Sequence, residues 1–167
     1  MEWTGARYAD APTIEQRIRI AAPPERVWDL VSDIQLYPRF SSELQTVEWL
    51  DEGGPGIGAR FVGRNEHPSF GKWETTSYVV GYEPRRTFAW AVSDPATPSA
   101  SWRFTLEPRE DGTELSQWMQ MGPGPSGLSF AITRMPEKEQ KIVFVRLREL
   151  ENAILANLQA IKNLAEA

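Results

Sequence analysis

A chain of 167 residues, 41% hydrophobic and 25% charged, can bury the core of one ordinary domain. Its net charge of −5, with no run of Lys or Arg, excludes the concentrated basic surface that nucleic acid or an anionic membrane requires. Without cysteine there is no disulfide, thiolate nucleophile or thiolate-bound metal, and no apolar run nears the roughly 18 residues of a membrane span.

Residues 1–13 read as an N-terminal extension. Their opening, MEWTGARYAD, lacks the basic end and apolar run of a signal peptide, so a soluble cytoplasmic protein is expected. IEQRIRI then alternates, with Ile14, Ile18 and Ile20 on one face of a strand. Pro23 or Pro24 fits the first turn of a helix in which Val27, Leu30 and Val31 share a face. Asp33 is placed to cap a second short turn through Leu36. The Tyr37-Pro38 step predicts the end of that run, because a residue before proline is biased away from helix. Two such short helices cannot cover a whole sheet, so something else must fill its apolar face.

From Leu44 to Met121 the period becomes two. LQTVEWL, ARFVGRNE, WETTSYVV, TFAWAV, SWRFTLE and ELSQWMQM are separated by Gly, Pro, Asp or Ser, which predicts an antiparallel meander. DEGGPGIG is a turn cluster, and EDGT holds the Asp-Gly pair of a tight hairpin. GPGPSGLSFAITR reads as a hinge-like loop with room for a helical turn at Leu128–Thr133. From Pro136 onward there is no Gly. Val143, Leu147, Leu150, Ile154, Leu158 and Ile161 recur at steps of three or four, the stripe of one long amphipathic helix. The predicted order is strand, two short helices, six strands, long helix.

Alternation assigns the faces of the sheet. Phe61, Gly63, Asn65, Trp73, Thr75, Ser77, Val79, Phe88, Trp90, Val92, Trp102, Phe104, Leu106, Leu115, Gln117, Met119 and Met121 share one face. Arg60, Arg64, Glu74, Arg103, Glu107 and Glu114 share the other, wet face, as does Trp118. The first face is aromatic but carries four polar groups: Asn65, Thr75, Ser77 and Gln117. Burying an unpartnered amide or hydroxyl costs about 1–3 kcal/mol. Several of them on an aromatic face fit an apolar cavity with a few convergent polar groups. Met119, Met121 and Met135 would suit an adaptable wall.

No metal or nucleophile site emerges. His67, the single histidine, stands beside Pro68 and reads as an exposed loop residue. GPSGL is not a nucleophile elbow, and GPGIGA lies between strands rather than before a helix, so it is a turn.

IRIAAPPERVWDLVSDIQLYPRFSSELQTVEWL, residues 18–50, resembles the opening of bacterial polyketide cyclase/dehydrase proteins of the START and Bet v 1-like (SRPBCC) helix-grip superfamily. GARFVGRN, WETT, FAW, SWRFTLEP and GTELSQ fit the family's strands. The resemblance implies an α+β fold over residues 14–167, a seven-stranded antiparallel sheet wrapped around a long C-terminal helix. Two short helices after the first strand close one end of a hydrophobic cavity. It also implies a polyketide-, lipid- or quinone-like ligand, with aromatase/cyclase or dehydrase activity as the alternative. No cofactor and no metal are expected, and the protein would be a monomer or homodimer. The tyrosine that aromatase/cyclases use aligns with Leu44, one of their arginines with Val79 and the other near Arg64 or Asn65. Two of the three are therefore replaced. The catalytic candidates are Arg64, Asn65 and Gln117, with Tyr78 as a further polar group. Expected ligand contacts are Trp49, Phe61, Asn65, Trp73, Thr75, Ser77, Trp90, Trp102, Phe104, Gln117, Met119, Phe144 and, from the long helix, Arg148. Alternation turns Arg64 outward, but a bulge near Gly63 would turn it inward.

Overall fold

The period-two segments pair as a single antiparallel sheet in the computed structural model, which describes all 167 residues. Its strands are β1 (Thr13–Ile20), β2 (Leu44–Trp49), β3 (Arg60–His67), β4 (Gly71–Glu83), β5 (Thr87–Val92), β6 (Ala100–Arg109) and β7 (Gly112–Met121). Their order across the sheet is β1-β7-β6-β5-β4-β3-β2. Helices α1 (Pro24–Val31) and α2 (Tyr37–Phe40) stand between β1 and β2. Helices α3 (Gly127–Arg134) and α4 (Glu139–Glu166) follow β7.

Cross-strand partners lie on the same face. The pairs Asn65↔Trp73, Phe61↔Ser77, Trp90↔Trp102, Trp102↔Met119 and Phe104↔Gln117 therefore build the aromatic face that alternation predicts. No bulge falls at Gly63 in β3; the register shift lies across the ladder, in β2 between Leu44 and Thr46. Gly63 makes room for it, since a Cβ there would stand 3.0 Å from Leu44 Cδ1. β3 stays regular, Arg64 points out and Asn65 points in. On the outer face Arg64 pairs with Glu74 at 3.1 Å and Glu48 at 3.4 Å. Trp118 is half-buried there under the Arg103 guanidinium, 4.5 Å from its ring.

α1 begins with Pro24 in its first turn and buries Val27, Trp28 and Val31. Asp33 caps the next, 3-10, turn by accepting from Gln35 N at 3.1 Å. The helical path does not stop at Tyr37, as the Tyr-Pro step predicts. Tyr37 has helical angles, φ −58 and ψ −39, and is the first residue of α2. Pro38 sits in the first turn of α2, where its missing N–H leaves no bond unmade. The chain turns toward the sheet one turn later, at Ser41.

α4 has 28 residues, a length of about 42 Å. Val143, Leu147, Ile154, Leu158, Ile161 and Ala165 are buried along it. Polar bonds pin it from end to end. Glu139 accepts from Tyr8 N at 2.9 Å, and Gln140 donates to the Gly5 carbonyl at 2.8 Å. Lys162 donates to the Arg19 carbonyl, and Glu166 accepts from Ala21 N, both at 2.8 Å. The first dozen residues thus lie along the start of α4. Trp3 covers Phe144 there, ring centroids 5.1 Å apart. No helix is long and apolar enough to cross a membrane.

Glu110 and Asp111 form the loop between β6 and β7. Gly112 follows at φ +153, and a Cβ there would lie 2.0 Å from the Ile20 carbonyl oxygen. Gly112→Ala is expected to lower unfolding free energy by about 1–3 kcal/mol, the ordinary cost of overpacking, measured by denaturant titration. An unchanged midpoint would mean that β1 and β7 do not approach so closely.

Candidate functional site

Most of the buried stripe of α4 packs toward the β1 side of the sheet and α1, so the aromatic face of β3 to β6 is left without a helix directly on it. Two adjoining cavities occupy that space. One, of about 180 Å³, lies deep against α2 and is lined by Tyr37, Phe40, Phe61, Trp90, Trp102, Phe104 and Gln117 among others. The other, of about 330 Å³, lies under α3 and the first half of α4 and is lined by Phe70, Trp73, Trp102, Met119, Met121, Leu128, Arg146 and Leu150 among others. Glu43, Asn65, Thr75, Val92 and Trp102 line both. Leu150 belongs to the apolar stripe of α4 yet is only partly buried, because it faces this space.

The rings form a connected wall. Trp90 is 5.2 Å from Phe88, 5.8 Å from Phe61 and 6.1 Å from Phe104, centroid to centroid. It runs nearly parallel to Trp102, at 6.4 Å and 15°. Tyr37 closes the floor, 5.9 Å from Trp90, and its hydroxyl donates to the Val31 carbonyl. Burial, and then the Asp33 carboxylate, push the Tyr37 phenol well above its ordinary pKa, so it remains a neutral donor.

Asn65, Thr75, Ser77 and Gln117, the four polar groups of the aromatic face, all line the deep cavity. Gln117 accepts from Asn157 of α4 at 3.3 Å. No polar side-chain atom is sealed from solvent without a partner, so the others stay open to the cavity.

A charged cluster lies where α4 crosses the β2–β3 edge. Arg146 grips Glu43 with two bonds, 2.6 and 2.9 Å, and reaches Glu149 at 3.3 Å. His67 bonds Glu149 through Nε2 at 2.9 Å, while its Nδ1 accepts from Ser69 N at 2.9 Å. That second bond assigns the proton to Nε2 in the neutral ring. Phe70 packs against both His67 and Arg146, 4.6 Å from the imidazole and 5.3 Å from the guanidinium. Burial opposes the charge of Arg146, but the bonds and charges of Glu43 and then Glu149 outweigh it and raise its pKa. Burial likewise opposes ionisation of Glu149, and His67 and Arg146 together bring its pKa below the ordinary value.

The sequence-based expectations divide accordingly. Phe61, Asn65, Trp73, Thr75, Ser77, Trp90, Trp102, Phe104, Gln117 and Met119 come together around the cavities. Trp49 stands behind them, edge-on to Phe61 at 5.5 Å. Arg64 and Tyr78 face outward, and Met135 is exposed at the joint before α4. Phe144 and Arg148 lie on the far side of α4, with the Arg148 guanidinium 5.7 Å from the Phe144 ring. Two residues are about 200° around a helix, so Arg146, not Arg148, reaches the cavity. His67 is not an exposed loop residue. β3 runs through it, and Phe70 and α4 bury it to 9% exposure. Glu43, Arg146 and Glu149 were not singled out from the sequence. A polar residue recurring beside the apolar stripe, at Arg146 and Asn157 around Leu150, was the available signal.

A carboxylate whose pKa is lower in the folded than in the unfolded chain stabilises the fold above the unfolded pKa. That stability is lost as the pH falls through the folded pKa. Glu149→Gln should therefore flatten the fall in melting temperature below about pH 4.5, where an unperturbed glutamate is about half protonated. An acid limb identical to that of the parent protein would show that Glu149 is not held by His67 and Arg146.

Residues 11–149 match the family model described as polyketide cyclase / dehydrase and lipid transport. A polyketide cyclase-like protein from Corynebacterium glutamicum is 34% identical, with 90% of this chain and 88% of that chain covered and a TM-score of 0.64. The Zhui aromatase/cyclase from Streptomyces sp. R1128 is 19% identical, with 93% of each chain covered and a TM-score of 0.64. A START superfamily protein from Mycobacterium smegmatis is 15% identical, with 89% and 98% covered and a TM-score of 0.58. The last two share the fold. With a family match over most of its length, this chain belongs to the polyketide cyclase/dehydrase and lipid transport family, and it has the helix-grip fold.

Proposed function

We propose that the protein binds a hydrophobic small molecule, polyketide-, lipid- or quinone-like, between the sheet and α4. The observation that carries this reading is the pair of adjoining cavities on an aromatic face whose few polar groups remain open. Trp73, Trp90, Trp102, Phe104 and Met119 supply apolar contact area, and Asn65 and Gln117 orient the ligand. Affinity of this kind comes mainly from apolar surface removed from water, with the polar groups selecting pose.

A second reading, an aromatase/cyclase or dehydrase, is favoured by one feature. Glu43 and Arg146 place a carboxylate and a guanidinium on the lining, the groups that proton transfer and enolate stabilisation require. Against it, the family's tyrosine and one of its arginines align with Leu44 and Val79, and Val79 is a buried apolar core residue. Arg64 faces solvent, which removes the other aligned cation. Binding is therefore the stronger reading.

Trp102 touches both cavities, and truncating it should enlarge them rather than empty a packed core. Trp102→Ala is expected to weaken binding of an uncharged apolar probe such as Nile red about tenfold or more, with a melting temperature close to the parent's. A stability loss of about 3–5 kcal/mol, that of a tightly packed aromatic, would identify solid core and overturn the reading.

A further inference from the structure

The cavity lining carries one cation, Arg146, and that cation is already paired. Its partner Glu43 belongs to the short loop after α2. The main chain of Glu43 is fixed, with its N–H donating to Ser41 Oγ at 3.1 Å and its carbonyl accepting from Glu66 N at 2.9 Å. Its side chain is held chiefly by Arg146 and is 25% exposed, so it has a route to water. Glu149, by contrast, is held by both Arg146 and His67. Arg146 has no comparable freedom. Its side chain is 13% exposed, packed on Phe70 and rooted about two turns into α4.

We propose that Arg146 is the anchor for a carboxylate on the ligand, with Glu43 as the counter-ion that the ligand displaces, so that the protein selects hydrophobic acids over their neutral analogues. This rests on the binding reading above and names the ligand's head group. Glu43 lines both cavities, so a carboxylate arriving on an apolar body emerges where the Glu43 carboxylate now sits. The exchange replaces one two-bonded carboxylate–guanidinium pair by another, geometry to which arginine is suited. Glu43 returns to water, and burial of the ligand's apolar body provides the net drive. An ester or alcohol cannot neutralise Arg146. It must bind beside the intact pair and gains no charge-assisted bond there. Glu149 and His67 keep Arg146 in place while its partner changes.

Calorimetric titration of the full chain at neutral pH with 2-naphthoic acid, methyl 2-naphthoate and 2-naphthalenemethanol tests this. The acid should bind about tenfold or more tightly than either neutral probe. Glu43→Gln should tighten the acid further, and by more than it changes either neutral probe. Arg146→Gln should bring the three affinities together, and Glu43→Gln decides alone if that variant does not fold. Neutral probes that match the acid, an acid preference that survives Arg146→Gln, or no gain in Glu43→Gln would overturn the head-group assignment while leaving the cavity reading intact. Failure of all three probes to bind the parent protein would overturn both.

Discussion

A single helix cannot cover the inner face of seven strands, and the rest of this structure follows from where that helix is tied down. α4 is fastened to the β1 edge by the Arg19, Ala21 and Gln16 contacts, to α1 by the Arg26 bond to the Leu164 carbonyl, and to the β2–β3 edge by the Glu43–Arg146 and His67–Glu149 bonds. Between those lines of attachment it spans the curved sheet. Large rings at Phe61, Trp90, Trp102 and Phe104 hold the layers apart, while α1 and α2 close one end and α3 lies over the other. The apolar face is therefore neither exposed nor filled. The adjoining spaces of about 180 and 330 Å³ are where the proposed ligand would lie.

The polar groups sort by depth. Asn65, Thr75, Ser77 and Gln117 sit among the rings and need no charge to be satisfied by a ligand or water. The charged groups stand at the rim, where α4 meets the sheet edge, and each is answered by an opposite charge. Removing one member of such a cluster leaves the others without their partner, so its structural role and the ligand-directed role proposed for it are joined. The same bonds that hold α4 at a distance from the sheet also present Arg146 to the cavity.

Much of this was legible in the sequence, for a physical reason. Side chains of a regular strand alternate, and β3, β5, β6 and β7 run without a shift through their inward positions, so the cavity wall from Phe61 to Met119 could be read by counting. The choice between Arg64 and Asn65 depended on where the bulge falls, and that is set in the neighbouring strand by Leu44 against Gly63. The helix side of the cavity was harder. Moving from Arg148 to Arg146 crosses to the opposite face, and a long helix offers many polar residues at its margin. Nor could His67 or Glu43 be assigned partners, since these lie 82 and 103 residues away along the chain. Tyr37 shows the limit of local rules: proline after it discourages helix but does not forbid it when that proline opens the next turn.

Native mass spectrometry of the purified protein, followed by extraction and identification of whatever is bound, tests the central claim most directly. The account predicts a mass above that of the 167-residue chain, carried by an apolar molecule that organic solvent releases and that the stripped protein takes up again. A clean apo mass, together with tryptophan fluorescence indifferent to added apolar molecules, would contradict it, and would make the aromatic face a core rather than a binding site.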